Sequence, residues 1–285
     1  MFLNDLSPAN ICENIAAIFK VNIIPGKTLL FLDEIQECPE AISSLRFFYE
    51  KMPGLHIIAA GSLLEFALSE IPTFGVGRIR SMFMYPLSFE EYLCGAGEQQ
   101  LVNKVKMANS NNPLNETLHA RLIDLVQKFI CLGGMPEVIA TYIETGDLNK
   151  CQQLLDDLII SIQADFTKYK KKTPVSRLNE VFQAVVFQAG QKFVYSKACV
   201  QANHYQVKDA LQLLITAGIV ISVTHSSSNG IPLGVGVNPQ KQKMLVFDSG
   251  IFQRIMGLDL KDFLLSKKWM PLIRAIWRSS SLVWN

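Results

Sequence analysis

Apolar and polar positions change their rhythm several times along the chain, and each change predicts an element. Ser7-Pro8 reads as an N-cap followed by proline in the first helical turn. A helix is expected beyond it, through Ile11, Ile15 and Ile18, and Pro25-Gly26 ends that pattern. Thr28 to Leu32 is a short continuous apolar run, the pattern of a strand buried on both faces. Pro39 opens a second helix through Leu45, Phe48 and Met52, and Leu55 to Ala60 reads as a second buried strand ending at Gly61-Ser62. A further helix is expected after it. Arg78 to Tyr85 alternates like a third strand, and Ser88-Phe89-Glu90-Glu91 has the form of a capping box. Helices alternating with strands in this way predict a parallel sheet with crossover helices.

The rhythm changes after Gly95-Ala96-Gly97. Long helical periods run from about Glu98 to Lys172, broken near Asn109–Pro113, at Gly133-Gly134 and at Gly146. Three helices are then expected, Val175–Ala189, Ser196–Ala202 and Gln206–Ala217. Strand Ile219–His225, a loop rich in Ser, Asn, Gly and Pro, and a returning strand Lys243–Phe247 complete the series. Three helices followed by a two-stranded ribbon is the winged-helix pattern.

Composition narrows the picture. Hydrophobic residues make up 49% of the 285 and charged residues 18%, which fits a well-buried globular protein. A net charge of +2 is too near neutral to argue for nucleic acid by itself. The six cysteines include no C-x-x-C pair, so neither a zinc site nor a redox pair is indicated, and they read as buried thiols in a reducing compartment. The most apolar stretch, Leu211 to Val223, is interrupted by polar residues and falls short of a membrane span. The expected localisation is cytoplasmic, with no membrane partner.

The strongest chemical signal is Leu29-Leu30-Phe31-Leu32-Asp33-Glu34. In open α/β sheets ligands sit at the carboxyl ends of the strands, and this run delivers two carboxylates there. In P-loop nucleotide hydrolases such an Asp helps to hold Mg²⁺, and a neighbouring acid orients the attacking water. An acidic helix cap would look the same. Ser62, at the end of the second strand, is placed to sense a γ-phosphate or simply to cap a helix. Arg78, opening the third strand, is a candidate for reaching phosphate or a solvated strand end. The phosphate loop itself should read G-x-x-x-x-G-K-S/T between a strand and a helix. Gly26-Lys27-Thr28 imitates its end, but position 21 is Val21 and the triplet precedes a strand instead of following one. It is a decoy.

Three blocks together resemble a large prokaryotic family of AAA-type ATPases: Leu30 to Pro39, His56 to Ser62, and Tyr85 to Tyr92. In that family an ATPase core precedes a region catalogued as domain of unknown function 4143. The similarity continues through Gly133-Gly134-Met135-Pro136-Glu137, Lys192–Ser196, Ala210–Leu214 and Phe247-Asp248-Ser249-Gly250, over roughly residues 1 to 262. The resemblance implies ATP and Mg²⁺ as cofactors, with Asp33 at magnesium, Glu34 at the catalytic water and Ser62 as a sensor. The expected cofactor-binding residues are Asp33 and, from its place at the start of the third strand, Arg78. It also implies a winged-helix unit and then a nuclease-like module.

Two departures qualify it. Family members carry a strand, the phosphate loop, a helix and a second strand before the point matching Met1. The tail Lys267 to Asn285 does not resemble the nuclease-like continuation and reads as a basic amphipathic helix. The expected fold class is therefore α/β, a partial P-loop-type parallel sheet followed by a helical region and a winged-helix domain. The expected domains are 1–95 (shortened ATPase core), 96–173 (helical), 174–258 (winged helix) and 259–285 (helical tail). The expected function is that of an AAA-type, ATP-binding protein with impaired or absent hydrolysis. Such a shortened sheet should be weakened, prone to self-association or in need of a complementing segment. The alternative is a non-enzymatic winged-helix interaction module, possibly on DNA. Its third helix offers only one basic residue, Lys208, and the run Lys168–Lys172 reads as a solvated helix end.

Overall fold

The computed structural model describes residues 6–61, 77–169, 173–227 and 236–261. The chain divides into two compact units, Met1–Met84 and Tyr85–Asn285.

The first unit begins with helix α1, Pro8–Phe19, which proline pre-sets at its first turn and which buries Ile11, Cys12 and Ile15 on one face. Lys20 closes it in the left-handed region, φ 54°, its N–H donating to the Ala16 carbonyl. Strand β1, Leu29–Leu32, and strand β2, His56–Ala59, pair in parallel, with Leu29 opposite His56 and Leu32 opposite Ala59. Helix α2, Pro39–Lys51, makes the crossover between them. Leu30 and Ile57 pack on Ile11, Ile15 and Phe48, while Leu32 and Ala59 pack on Ile35, Ala41 and Ile42.

Among the described residues only that face is covered. Side chains alternate across a strand, and Leu29, Phe31 and Ile58 on the other face are 54%, 55% and 51% exposed. The expectation that these strands are buried on both sides is thus corrected. An unbroken apolar run specifies a strand, but what covers each face depends on distant elements. The third strand is corrected too. Residues 79–85 belong to neither sheet among the described residues, and Met82 and Met84 are 84% and 99% exposed. Alternation records a preference for extended backbone, but a strand also needs a paired edge. The helix expected after Gly61 lies outside the described residues.

The second unit opens with α3, Phe89–Gly95. Its capping box is as the sequence predicts: Ser88 accepts from the Glu91 N–H, and Glu91 accepts from the Ser88 N–H at 2.7 Å. Four more helices follow, α4 (Gln99–Met107), α5 (Glu116–Leu132), α6 (Pro136–Thr145) and α7 (Leu148–Asp165). They break at the three places expected. Gly133 and Gly146 supply positive φ at two of them, 78° and 65°. Tyr92, Leu101, Leu132, Val138 and Leu155 centre their common core.

Helix α8 (Val175–Phe187), a short 3₁₀ turn (Tyr195–Lys197) and helix α9 (His204–Thr216) come next. Strands β3 (Val220–Ser226) and β4 (Val237–Val246) form an antiparallel ribbon, irregular between Thr224 and His225. Helix α10, Ser249–Ile255, ends the described architecture, and Arg254 on it grips Asp156 of α7 through two hydrogen bonds of 2.5 and 3.0 Å.

Candidate functional site

β1 and β2 end side by side, and the backbone stitches their ends together. Ala60 N–H donates to Leu32 at 2.9 Å, and Ile35 N–H donates to Ala60 at 3.0 Å. Between these bonds the chain must turn sharply, and Glu34 does so with φ 48° and ψ 42°. A non-glycine residue there costs about 1 kcal/mol. Asp33 steadies the turn by accepting the Glu34 N–H at 3.0 Å, and Gln36 donates its side-chain amide to Glu34. Both carboxylates are exposed. Two adjacent, solvated acids at the carboxyl edge of a parallel sheet can share a hydrated divalent cation or hold a water.

Among the described residues the rest of such a site is not assembled around them. Among the described residues no three His, Cys, Asp or Glu side chains could hold a metal ion together. A Mg²⁺ ion bound by one or two carboxylates takes its other ligands from water and substrate phosphates. Phosphates in turn need a cradle of free amides. Gly26-Lys27-Thr28 does not offer one. Gly26 N–H donates to Gly54 at 2.6 Å, and the Lys27 and Thr28 N–H groups both donate to Ile24. Thr28 Oγ1 accepts the Ile24 N–H at 2.9 Å. The triplet's N–H groups are all spent, in a turn at the amino end of the strands, opposite the acids. The described residues thus fit the acidic half of a MgATP site and not its phosphate half.

Arg78 is held at 2.9 Å by Glu50. Glu50 lies in the last turn of α2, just before β2 begins. The structure therefore sets Arg78 beside the amino end of the sheet and does not bring it to Asp33-Glu34. Ser62 lies outside the described residues.

Two features went unread as sites in the sequence. Asp248, 3% exposed, accepts the Gly134 N–H at 2.6 Å and the Ile251 N–H at 2.9 Å. Gly134 in turn accepts the Leu87 N–H at 2.7 Å. Three separated stretches of sequence meet there. Burial pushes the Asp248 carboxyl above its ordinary range, against the pull of the backbone N–H donors. The second feature is a cavity of about 180 Å³ between α9 and the ribbon, where Lys208, Gln212, Ser222 and Gln242 stand over Leu211 and Ile215.

With this geometry in place, comparison with known proteins supplies the family context. Residues 2–93 match a family described as an AAA domain. The similarity is to AAA-type proteins. Such families use nucleotide and Mg²⁺ in general, and the match spans β1, β2 and the acidic pair. Residues 123–262 match a second family, a domain of unknown function, DUF8612. This designation differs from the domain 4143 that the sequence resemblance implied. One match is thus to an AAA domain and the other, further along the chain, to a domain of unknown function. No curated protein and no solved structure matches the chain. No helix among the described residues is long and apolar enough to cross a membrane.

Proposed function

We propose that this AAA-type chain keeps the acidic, metal-side half of a nucleotide site and turns over no ATP by itself. In this reading Asp33 is the residue that would face a nucleotide-bound Mg²⁺, and Glu34 the one that would face the hydrolytic water. Mg²⁺, if bound, would supply charge neutralisation at the phosphates. One observation carries the reading. The acids stand exposed at one end of the strands, while the amides of Gly26-Lys27-Thr28 are consumed in a turn at the other. Electrostatic stabilisation of a transferring phosphoryl group requires both halves. The test is steady-state phosphate release. The expected rate equals background and is unchanged in Glu34→Gln. Turnover that Glu34→Gln abolishes would overturn the reading.

A second reading is favoured by the order of helix, 3₁₀ turn, helix and ribbon over residues 175–246. It makes this region a winged-helix interaction module. Helix α9 exposes His204, Tyr205, Lys208, Asp209 and Gln212, and its single cation is a poor phosphate grip. Lys168, upstream, is engaged by Asp165 at 2.9 Å. A protein partner therefore suits this surface better than DNA. A salt-dependent mobility shift of duplex DNA without nucleotide would reverse that preference.

A further inference from the structure

The open face of the small sheet and residues 80–84 carry complementary features. β1 presents Leu29 and Phe31 on its uncovered face and runs directly into Asp33 and Glu34. Residues 80–84 read Arg-Ser-Met-Phe-Met, with Arg80 exposed and Met82, Phe83 and Met84 between 62% and 99% exposed. One stretch is apolar then acidic, the other basic then apolar. An antiparallel alignment therefore matches them end to end. Met84 falls opposite Leu30, Phe83 opposite Phe31, Met82 opposite Leu32, and Arg80 comes alongside Glu34. Residues opposite each other share a face. The two methionines then extend the face already covered by α1 and α2, and Phe83 pairs with Phe31 on the open one.

The opposite, parallel alignment is worse. It would set Arg80 toward Lys27, a like charge, at the amino end of β1. β2 is the poorer edge as well, because it leads into Ala60-Gly61 with no acid.

The same chain cannot satisfy the charge-matched alignment while Arg78 stays where it is. That alignment needs residue 78 beyond the carboxyl end of β1, whereas Glu50 holds it at the amino end. We propose that the partner of β1 is residues 80–84 of a second copy of this chain, added antiparallel at its free edge. Strand addition pairs the backbone groups along the outer edge of β1 and removes the apolar face from water. A reciprocal exchange makes the contact twice in a twofold dimer. This inference does not depend on nucleotide binding, and its test uses none.

Sedimentation velocity of the full chain should show a dimer at tens of micromolar. Arg80→Glu should weaken it at least about tenfold, and Glu34→Arg together with Arg80→Glu should restore it. Phe83→Asp, a surface change, should also weaken it. In an equimolar mixture of Phe31→Cys and Phe83→Cys chains, a disulfide should form between the two variants and exceed that of either alone. A chain that stays monomeric over the whole range would overturn the proposal. So would a dimer indifferent to Arg80→Glu and Phe83→Asp.

Discussion

Asp248 and the pair Asp33-Glu34 each follow a short apolar run, Met244-Leu245-Val246-Phe247 in one case and Leu29 to Leu32 in the other. Each sits in a stretch of sequence that invites a functional reading, and each ends a strand region. Yet Asp248 is almost fully buried and accepts backbone N–H bonds from Ile251 and from Gly134, the latter 114 positions away. Asp33 and Glu34 are exposed, and among the described residues the hydrogen bonds of their carboxylates reach no further than two residues along the chain. A buried carboxylate with long-range backbone partners fixes a fold. An exposed pair with only local partners leaves its charge available to something else. Burial and the sequence distance of the partners separate the two roles, where residue type does not.

The comparison breaks first at Gly134. A Cβ there would stand 2.3 Å from the Leu87 carbonyl oxygen and 2.9 Å from the Leu87 nitrogen, with backbone on both contacts. Gly134→Ala should cost about 4 kcal/mol, seen as a large drop in the denaturant midpoint of the second unit. Asp248→Ala comes next. It leaves buried N–H donors unmatched, each worth about 1–3 kcal/mol, so a loss of about 3 kcal/mol is expected in the same measurement.

The pH dependence sharpens the contrast. Since burial raises the Asp248 pKa, the folded state holds its proton more tightly than the unfolded chain, where a carboxyl titrates near ~3.9. Its stability contribution is fully present below that value and falls as pH rises through the folded pKa. The stability difference between the parent and Asp248→Ala should therefore narrow as pH rises from about 4, and level off above the folded pKa. A difference that widens with pH would contradict this assignment. At the other site the effects should be small. Asp33→Ala should change stability by less than about 0.5 kcal/mol. Glu34→Gly should raise it by about 0.5–1 kcal/mol, because glycine adopts the left-handed turn without strain.

Local signals in the sequence carried far. The capping box at Ser88 and Glu91, the breaks at Gly133 and Gly146, β1, β2 and the ribbon strands are all legible from neighbours in the chain. The short helix expected at Ser196–Ala202 is instead a 3₁₀ turn over Tyr195–Lys197, where a few residues leave the choice to packing. The non-local facts were not legible. Nothing near Phe31 says that its face is uncovered, and nothing near Met82 says that no strand edge has claimed it. Asp248 shows the same gap, because its partner Gly134 lies on the far side of four helices and the ribbon. For the acidic pair, residue type and position at a strand end were readable. The consumption of the Gly26, Lys27 and Thr28 amides was readable only as a wrong order of elements, and the structure gives its physical form.

A calorimetric titration of the full chain with MgATP tests the central claim most directly, namely that the acids stand without a phosphate grip. The account predicts no saturable heat up to millimolar nucleotide, with parent and Asp33→Ala indistinguishable. Micromolar binding that disappears in Asp33→Ala would contradict it.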